Sequence, residues 1–541
     1  MPSCAAQRRQ RRRPTRRPAS GCDHRPVGSD RSAGTLRRGG PRAPRSARPL
    51  SGRHDRSGLL ASATFGRADL AAQKPVEPAT LFEIGSIGKT FTAVVLLQLH
   101  EQGRLDLHAP VTTSLPWFRV RSEHEPITAH HLLTHTGGII AGADLSSDSR
   151  FDVWALRATE VGGPPGRHYH YSNVGYRVLG CMLEELTGRR YQDVVRERVL
   201  APLGMVGSDP AITSETRKRL AVGYDHWYDD RPARRLDPMV PATWVETGTA
   251  DGSIAASAEE LAVFLRMLLN GGRGLLSPES FALMTPDGND WTYGYGLESR
   301  TVDGQRQIRH GGSMPGFGST MLGDLAAGMG AVVLLNMPDE GNVTEEVATA
   351  ALDFYRVGQG APSLPDPLAV ENAQEFEGAY SDGGLRLVLT VQGERLVLVR
   401  DEVEVALEPR GDDRFFADHP EFALFLLTFT REDGVVVEAC HGSDVYVREG
   451  VERPSTGHPP PKWSAFVGHY RAYNPWITNF RVILRRDRLV LVHWWGSEDP
   501  LTPLRRDTFR VGDEDWSPER LHDGEALRAN LSGCDYYRIA P

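Results

Sequence analysis

Ser86 and Lys89 stand three residues apart in Ser-Ile-Gly-Lys, at the start of a segment that reads as a helix over 86–103. Residues i and i+3 share a helix face, so this spacing sets a hydroxyl beside an amine. A serine hydroxyl is a weak nucleophile until a base takes its proton. A free lysine, with a pKa of about 10.4, is almost fully protonated at neutral pH. Burial, a neighbouring cation and the positive end of a helix all push that value down. The helix start also leaves backbone N–H groups free to hold an oxyanion. One segment can therefore carry a nucleophile, its base and half of an oxyanion hole.

The lysine itself is informative. The chain has four lysines (Lys74, Lys89, Lys218 and Lys462) against 58 arginines. Where nearly every cation is written as Arg, a Lys inside a motif asks for a reason. One reason is that Arg does not release its proton near neutral pH. A rival reading takes Gly88-Lys89-Thr90 as the end of a phosphate-binding loop. That pattern needs Gly at position 83, and a carboxylate, Glu83, stands there instead.

Two further segments converge on acyl transfer. Tyr171-Ser172-Asn173 follows a Pro-Pro-Gly loop and precedes a helix at 174–187. The Tyr171 phenol can exchange a proton with Ser86. Asn173 can donate to a substrate amide and hold Lys89. His310-Gly311-Gly312-Ser313 is expected just ahead of a strand at 319–322. Gly311 and Gly312 would let a substrate lie close along that edge. The amides of Ser86 and Ser313 would form the oxyanion hole.

These groups need a frame, and the chain is long enough for several domains. Its 541 residues are 40% hydrophobic and 24% charged, with a net charge of −8. That is an ordinary soluble composition. No run of eighteen apolar residues occurs, so no membrane-spanning helix is expected. Five scattered cysteines suggest neither a disulfide framework nor a zinc ribbon. The charge is segregated: residues 1–57 carry +13 and the rest −21. That tract is rich in Arg, Pro, Gly and Ser, so it reads as disordered and not as a nucleic-acid site. It lacks an apolar h-region and is not a secretory signal as written, which leaves the cytoplasm as the expected compartment. Residues 1–55 are expected to have no packed structure, leaving an incomplete sheet edge near 59–65.

Helices are expected at 191–200 and 258–270, and a buried strand at 331–336. Pro-rich stretches at 361–367 and 452–462 read as linkers. Around them Phe376-Glu-Gly-Ala-Tyr380 recurs as Phe466-Val-Gly-His-Tyr470. Each copy runs into alternating strands and ends on Asp-x-Tyr (Asp444 and Tyr446; Asp535 and Tyr537). Two small antiparallel barrels follow from this, with one shared sandwich as the alternative. The expected domains are a tract at 1–57, a catalytic domain at 58–360, and barrel repeats at 370–450 and 463–541.

Ser-x-x-Lys, Tyr-x-Asn and His-x-Gly occur in that order over about 58–340, with LFEIGSIGKTFTA, HLLTHTGGI, YSNVGYRVLG and HGGSMPGFGS around them. This resembles the penicillin-recognising serine hydrolases, the group with class C β-lactamases, DD-peptidases, esterases and D-aminopeptidases. The resemblance implies an α+β fold, with an antiparallel sheet and flanking helices plus an all-α lobe. It implies Ser86 as nucleophile, Lys89 and Tyr171 sharing proton transfer, and Asn173 placing substrate. His310 takes the position that β-lactamases commonly give to Lys, which weakens the hold on a β-lactam carboxylate. Together with the barrels, this points to a peptide, amide or ester substrate, as in a D-aminopeptidase or esterase. A β-lactamase or DD-carboxypeptidase is the alternative, and an inactive binding homologue the other. No cofactor, metal or nucleic-acid partner is expected, and oligomeric state is not written in the residues. His131 and His135 have a zinc-ligand spacing but lack Glu at 132, so a structural role is expected. His168 and His170 flank the Tyr171 loop. The segment 471–479 is read as a solvated turn, with a loop into the cleft as the alternative.

Overall fold

The structure is a computed structural model. It describes residues 53–541 apart from short stretches at 56–57, 143–147, 235–236, 287–290, 303, 358–365, 401–402, 412, 453–456, 513, 521–523 and 541.

A seven-stranded antiparallel sheet carries the first part of the chain. Its strands are β1 (Arg53–Asp55), β2 (Leu59–Ala61), β3 (Trp291–Tyr293), β4 (Glu298–Val302), β5 (Gln305–Met314), β6 (Phe317–Asp324) and β7 (Met329–Leu335), in the order β2-β1-β7-β6-β5-β4-β3. Every residue of β6 is buried. Helices α3 (Ala258–Leu269) and α4 (Val343–Val357) pack on the sheet. Helix α1 (Gly88–Glu101) is buried along most of its length, as a helix apolar all round must be. Its Phe91 stacks on Phe264 of α3 with ring centroids 3.7 Å apart. With α2 (Asn173–Thr187) it builds one large core. Among the described residues no helix is long and apolar enough to cross a membrane.

The structure revises several boundaries. The tract expected to be unpacked lies outside the described residues up to 52. Residues 53–55 do not follow that expectation, because they form β1 between β7 and β2. A ladder is made by main-chain groups, so polar Arg-His-Asp can satisfy the edge of β7 as well as an apolar run could. The sheet edge then falls on β2, which ends at Ala61, short of 65. The expected strands at 319–322 and 331–336 are the longer β6 and β7; β7 ends at Leu335 and, against expectation, is mostly half-buried. The expected helix over 86–103 starts as a tight turn, Gly85–Ile87, before α1 takes over. The helix expected at 191–200 continues to Leu203 through one widened turn, Arg196–Leu200.

The C-terminal part holds two nine-stranded antiparallel sheets, between residues 378 and 448 and between 468 and 540. In the first, the two end strands, Val403–Ala406 and Glu408–Pro409, are adjacent in sequence, so the barrel nearly closes. Each sheet wraps its own core. The repeated Phe-x-Gly-x-Tyr has a physical basis. The Tyr380 hydroxyl donates to the Phe376 carbonyl at 2.8 Å, and Tyr470 does the same to Phe466 at 2.8 Å. Both tyrosines are fully buried, so each phenol needs that acceptor. The Asp-x-Tyr endings are not equivalent. Tyr380 pairs with Arg448 and Tyr470 with Arg538, which sets Tyr446 against Tyr536. Tyr446 and Tyr536 are buried, whereas Tyr537 is 55% exposed. Side chains alternate between faces, so a one-residue slip in matching the copies exchanges inside for outside.

Candidate active site

Ser86 is held in its turn from both sides. Ile84 N–H donates to the Ile254 carbonyl at 2.9 Å, and the Ile84 carbonyl accepts from Ser319 Oγ at 3.0 Å. Gly85 has φ +51°, and a Cβ there would lie 2.7 Å from the Ser313 amide nitrogen. Only glycine allows β5 to come this close behind the nucleophile. Lys89 lies on the first turn of α1 and is fully buried. Its Nζ donates to Ser86 Oγ at 3.1 Å, Asn173 Oδ1 at 2.7 Å and the Asp251 carbonyl at 2.7 Å. These contacts hold the amine beside the Ser86 hydroxyl.

A second set of charges lies behind. Arg177 of α2 donates to Asp251 Oδ2 at 3.2 Å and pairs with Asp152. Burial pushes the Asp251 carboxyl up, but Arg177 and Lys89 outweigh it and hold the group below its ordinary value. At Asp152 burial wins over Arg177 and raises the carboxyl to about 6. No motif announces this network. Its visible trace is an Arg, Arg177, one turn into an otherwise apolar helix face.

Tyr171 packs beside the cation, with Lys89 Nζ 4.8 Å from its ring centroid. Its ring also packs against His135, at a centroid distance of 4.2 Å. His135 is buried with φ +56°, and its Nδ1 accepts the Ser172 N–H at 3.0 Å. Burial, then the charges of Lys89, His310 and His170, push it well below the ordinary histidine value. Its carbonyl also takes the His170 N–H at 2.7 Å. His135 thus shapes the loop that carries Tyr171. His131 accepts the Thr128 N–H at the start of its own helix. Among the described residues no cluster of His, Cys, Asp or Glu is placed to hold a metal ion.

His310 lies inside β5, where the sequence reading put its motif ahead of a strand. It is buried, and it is not among the residues that line the cleft with Ser86. Nδ1 donates to the Gly311 carbonyl at 2.6 Å, so Nε2 accepts from the Tyr293 hydroxyl at 2.8 Å. Burial, with Lys89 and Arg309, pushes it down to about 3. Packing alone requires glycine at 312, because a Cβ there would collide with the Ile84 carbonyl. The Cβ position of Gly311 is open by comparison, with Arg309 its nearest neighbour at 3.6 Å.

Ser86, Asn173, Ser313, Asp251, Thr249 and Trp476 line one cleft. Trp476 comes from the second barrel, on the segment read as a solvated turn. That segment is built: Ala472 N–H donates to the Thr478 carbonyl at 2.9 Å, and buried Asn474 takes the Trp476 N–H at 3.0 Å. Tyr473 alone points fully to solvent. The same barrel supplies Glu514, which accepts the Ala141 N–H at 2.8 Å and pairs with His170 at 3.0 Å. Asn173, Trp476 and Glu514 share a further cavity of about 320 Å³. His168 and His170 line the opening beyond it.

The chain is 26% identical over 289 residues to Protein flp of Staphylococcus aureus (strain NCTC 8325 / PS 47), a match spanning 51% of this chain and 57% of that protein. It is 25% identical over 524 residues to a D-aminopeptidase of Cereibacter sphaeroides, spanning 89% of this chain and 94% of that protein. Its fold is similar to that of an octameric penicillin-binding protein homologue from Pyrococcus abyssi, with a TM-score of 0.55 and 22% identity, over 82% of this chain and 93% of that one. The Beta-lactamase family model matches residues 54–355. This chain belongs to the β-lactamase family.

Proposed function

We propose that the protein is a serine hydrolase that acylates Ser86 and acts on a peptide, amide or ester, in the manner of a D-aminopeptidase or esterase. The observation that carries this reading is the buried Lys89 Nζ within hydrogen-bond distance of Ser86 Oγ, Asn173 Oδ1 and the Asp251 carbonyl. Ser86 Oγ attacks the substrate carbonyl as its proton passes to the Lys89–Tyr171 pair. The pair then delivers that proton to the leaving nitrogen or oxygen. Positioned proton transfer of this kind supplies roughly 10²–10⁴ in rate. The amides of Ser86 and Ser313 take the oxyanion, and one such donor contributes roughly 10²–10³. The D-aminopeptidase match runs through both barrels, which favours an amide or peptide over a lactam.

A dedicated β-lactamase is disfavoured by one observation. His310, held neutral and bonded to Tyr293, offers no cation to a β-lactam carboxylate. A panel of D-aminoacyl amides, short-chain esters and a chromogenic cephalosporin separates the substrate classes. An active-site phosphonate should label the wild type and spare Ser86→Ala. Equal treatment of the two proteins would leave the inactive-homologue reading.

A further inference from the structure

An acylated serine has to be freed by water. We propose that the polar pocket made by residues 247–253 seats the deacylating water beside Ser86. The proposal rests on the serine-hydrolase reading above.

Three hydroxyls form the pocket's wall. Thr247 and Thr249 lie 3.1 Å apart, and Ser253 is 2.9 Å from each. The Thr249 N–H also donates to Ser253 Oγ at 2.7 Å. All three residues are buried. Three hydroxyl hydrogens can be used within such a ring, and lone pairs remain for one more donor. Asp251 belongs to the same turn. Its Oδ2 is taken by Arg177; the Thr249 hydroxyl also lowers the carboxyl, while Oδ1 is buried and short of a hydrogen bond of good geometry. A buried carboxylate oxygen in that state marks a place for water or ligand. Arg177 and Lys89 keep the carboxyl ionised, so it can only accept.

Size and position agree. The cavity offers about 20 Å³. One water needs roughly 10–15 Å³ by the same measure. Ser86, Asn173 and Asp251, the three residues that give Lys89 its acceptors, all line it, and so does Ser313. A water in this place lies beside both the acyl carbon and the proton-carrying pair. Its oxygen bonds to the acyl carbon, and the bond from that carbon to Ser86 Oγ breaks. One of its protons passes through the Lys89–Tyr171 pair to Ser86 Oγ, and the other leaves with the carboxylic acid. Thr249, Ser253 and Asp251 are positioning residues in this step.

The test uses the full chain, p-nitrophenyl butyrate, stopped flow and intact-protein mass measurement. Thr249→Val and Ser253→Ala should each give a burst of p-nitrophenol, then turnover slower than wild type by about tenfold or more, with a butyrylated protein accumulating. Thr249→Ser should bring turnover back and remove the adduct. If kcat and kcat/KM fall together with no adduct, the pocket serves acylation or folding and the proposal is overturned. Unchanged rates overturn it as well. The two variants cover each other should one fail to fold. A wild type that accepts neither the ester nor a phosphonate would overturn the hydrolase reading too, an outcome distinct from turnover without an adduct in the variants.

Discussion

Lys89 Nζ donates to Ser86 Oγ at 3.1 Å from a fully buried position one helical turn further on. The pair spans the junction between the tight turn at Gly85–Ile87 and α1. That junction lets the hydroxyl face the cleft while the amine stays in the core. A proton can therefore move over one hydrogen bond without either group leaving its rotamer.

Replacing Lys89 by Arg keeps the charge and removes the ability to give up a proton. Lys89→Arg should lower kcat/KM for the best substrate by roughly 10²–10⁴ and slow phosphonate labelling of Ser86 in parallel. Near-UV circular dichroism checks that the core survives. Retention of more than about a tenth of the wild-type activity would remove Lys89 from the proton path.

His310 gives a signed pH effect. Burial, with the charges of Lys89 and Arg309, holds it at about 3 against an ordinary 6.5. Between those values the unfolded chain binds a proton that the folded chain refuses, so stability is full above 6.5 and falls as the pH drops. One such group contributes a slope of at most about 1.4 kcal/mol per pH unit. Asp152, raised to about 6, acts in the opposite sense above the ordinary carboxylate range. The difference between wild type and His310→Gln isolates the histidine. Urea unfolding at pH 7, 6, 5 and 4 should show the variant losing less stability than the wild type on acidification, and parallel curves would count against a buried neutral imidazole.

The sequence discloses some of these groups and hides others for physical reasons. Ser86, Lys89 and Asn173 are legible because a helix start and an ordered set of motifs bring fixed chemistry to fixed spacings. His310 carries its motif equally openly, but the direction of a ring on a strand is set by neighbours such as Tyr293, and no local pattern reports them. Thr247, Thr249, Asp251 and Ser253 look like any polar loop. Their signal is the alternation of short polar side chains in TGTADGS, which the buried ring explains only once Lys89 is seen on the Asp251 carbonyl. The Asp-x-Tyr match failed through its own brevity, since a three-residue pattern cannot resolve a one-residue slip on a strand.

Trp476 should set the size of the acceptable acyl group. It lines the cleft and packs against the cluster that includes Ala68 and Phe317. Trp476→Ala should raise the ratio of kcat/KM for long-chain over short-chain esters by about tenfold, the scale of one lost apolar contact. An unchanged ratio would return the 471–479 segment to a purely structural role.

The two barrel tyrosines test whether the repeats are energetically separate. Tyr380 and Tyr470 each donate to a carbonyl four residues back, in cores that share no residue. Removing either hydroxyl leaves a buried carbonyl short of a donor, at a cost of about 1–3 kcal/mol. Tyr380→Phe and Tyr470→Phe should each lower stability by that amount and leave kcat within about twofold, because neither ring touches the cleft. Residues without shared partners add, so the double variant should lose the sum of the two within about 0.5 kcal/mol. Urea unfolding of the three variants checks this. If each single variant shifted one common transition and not a transition of its own barrel, the two copies would unfold as a single unit.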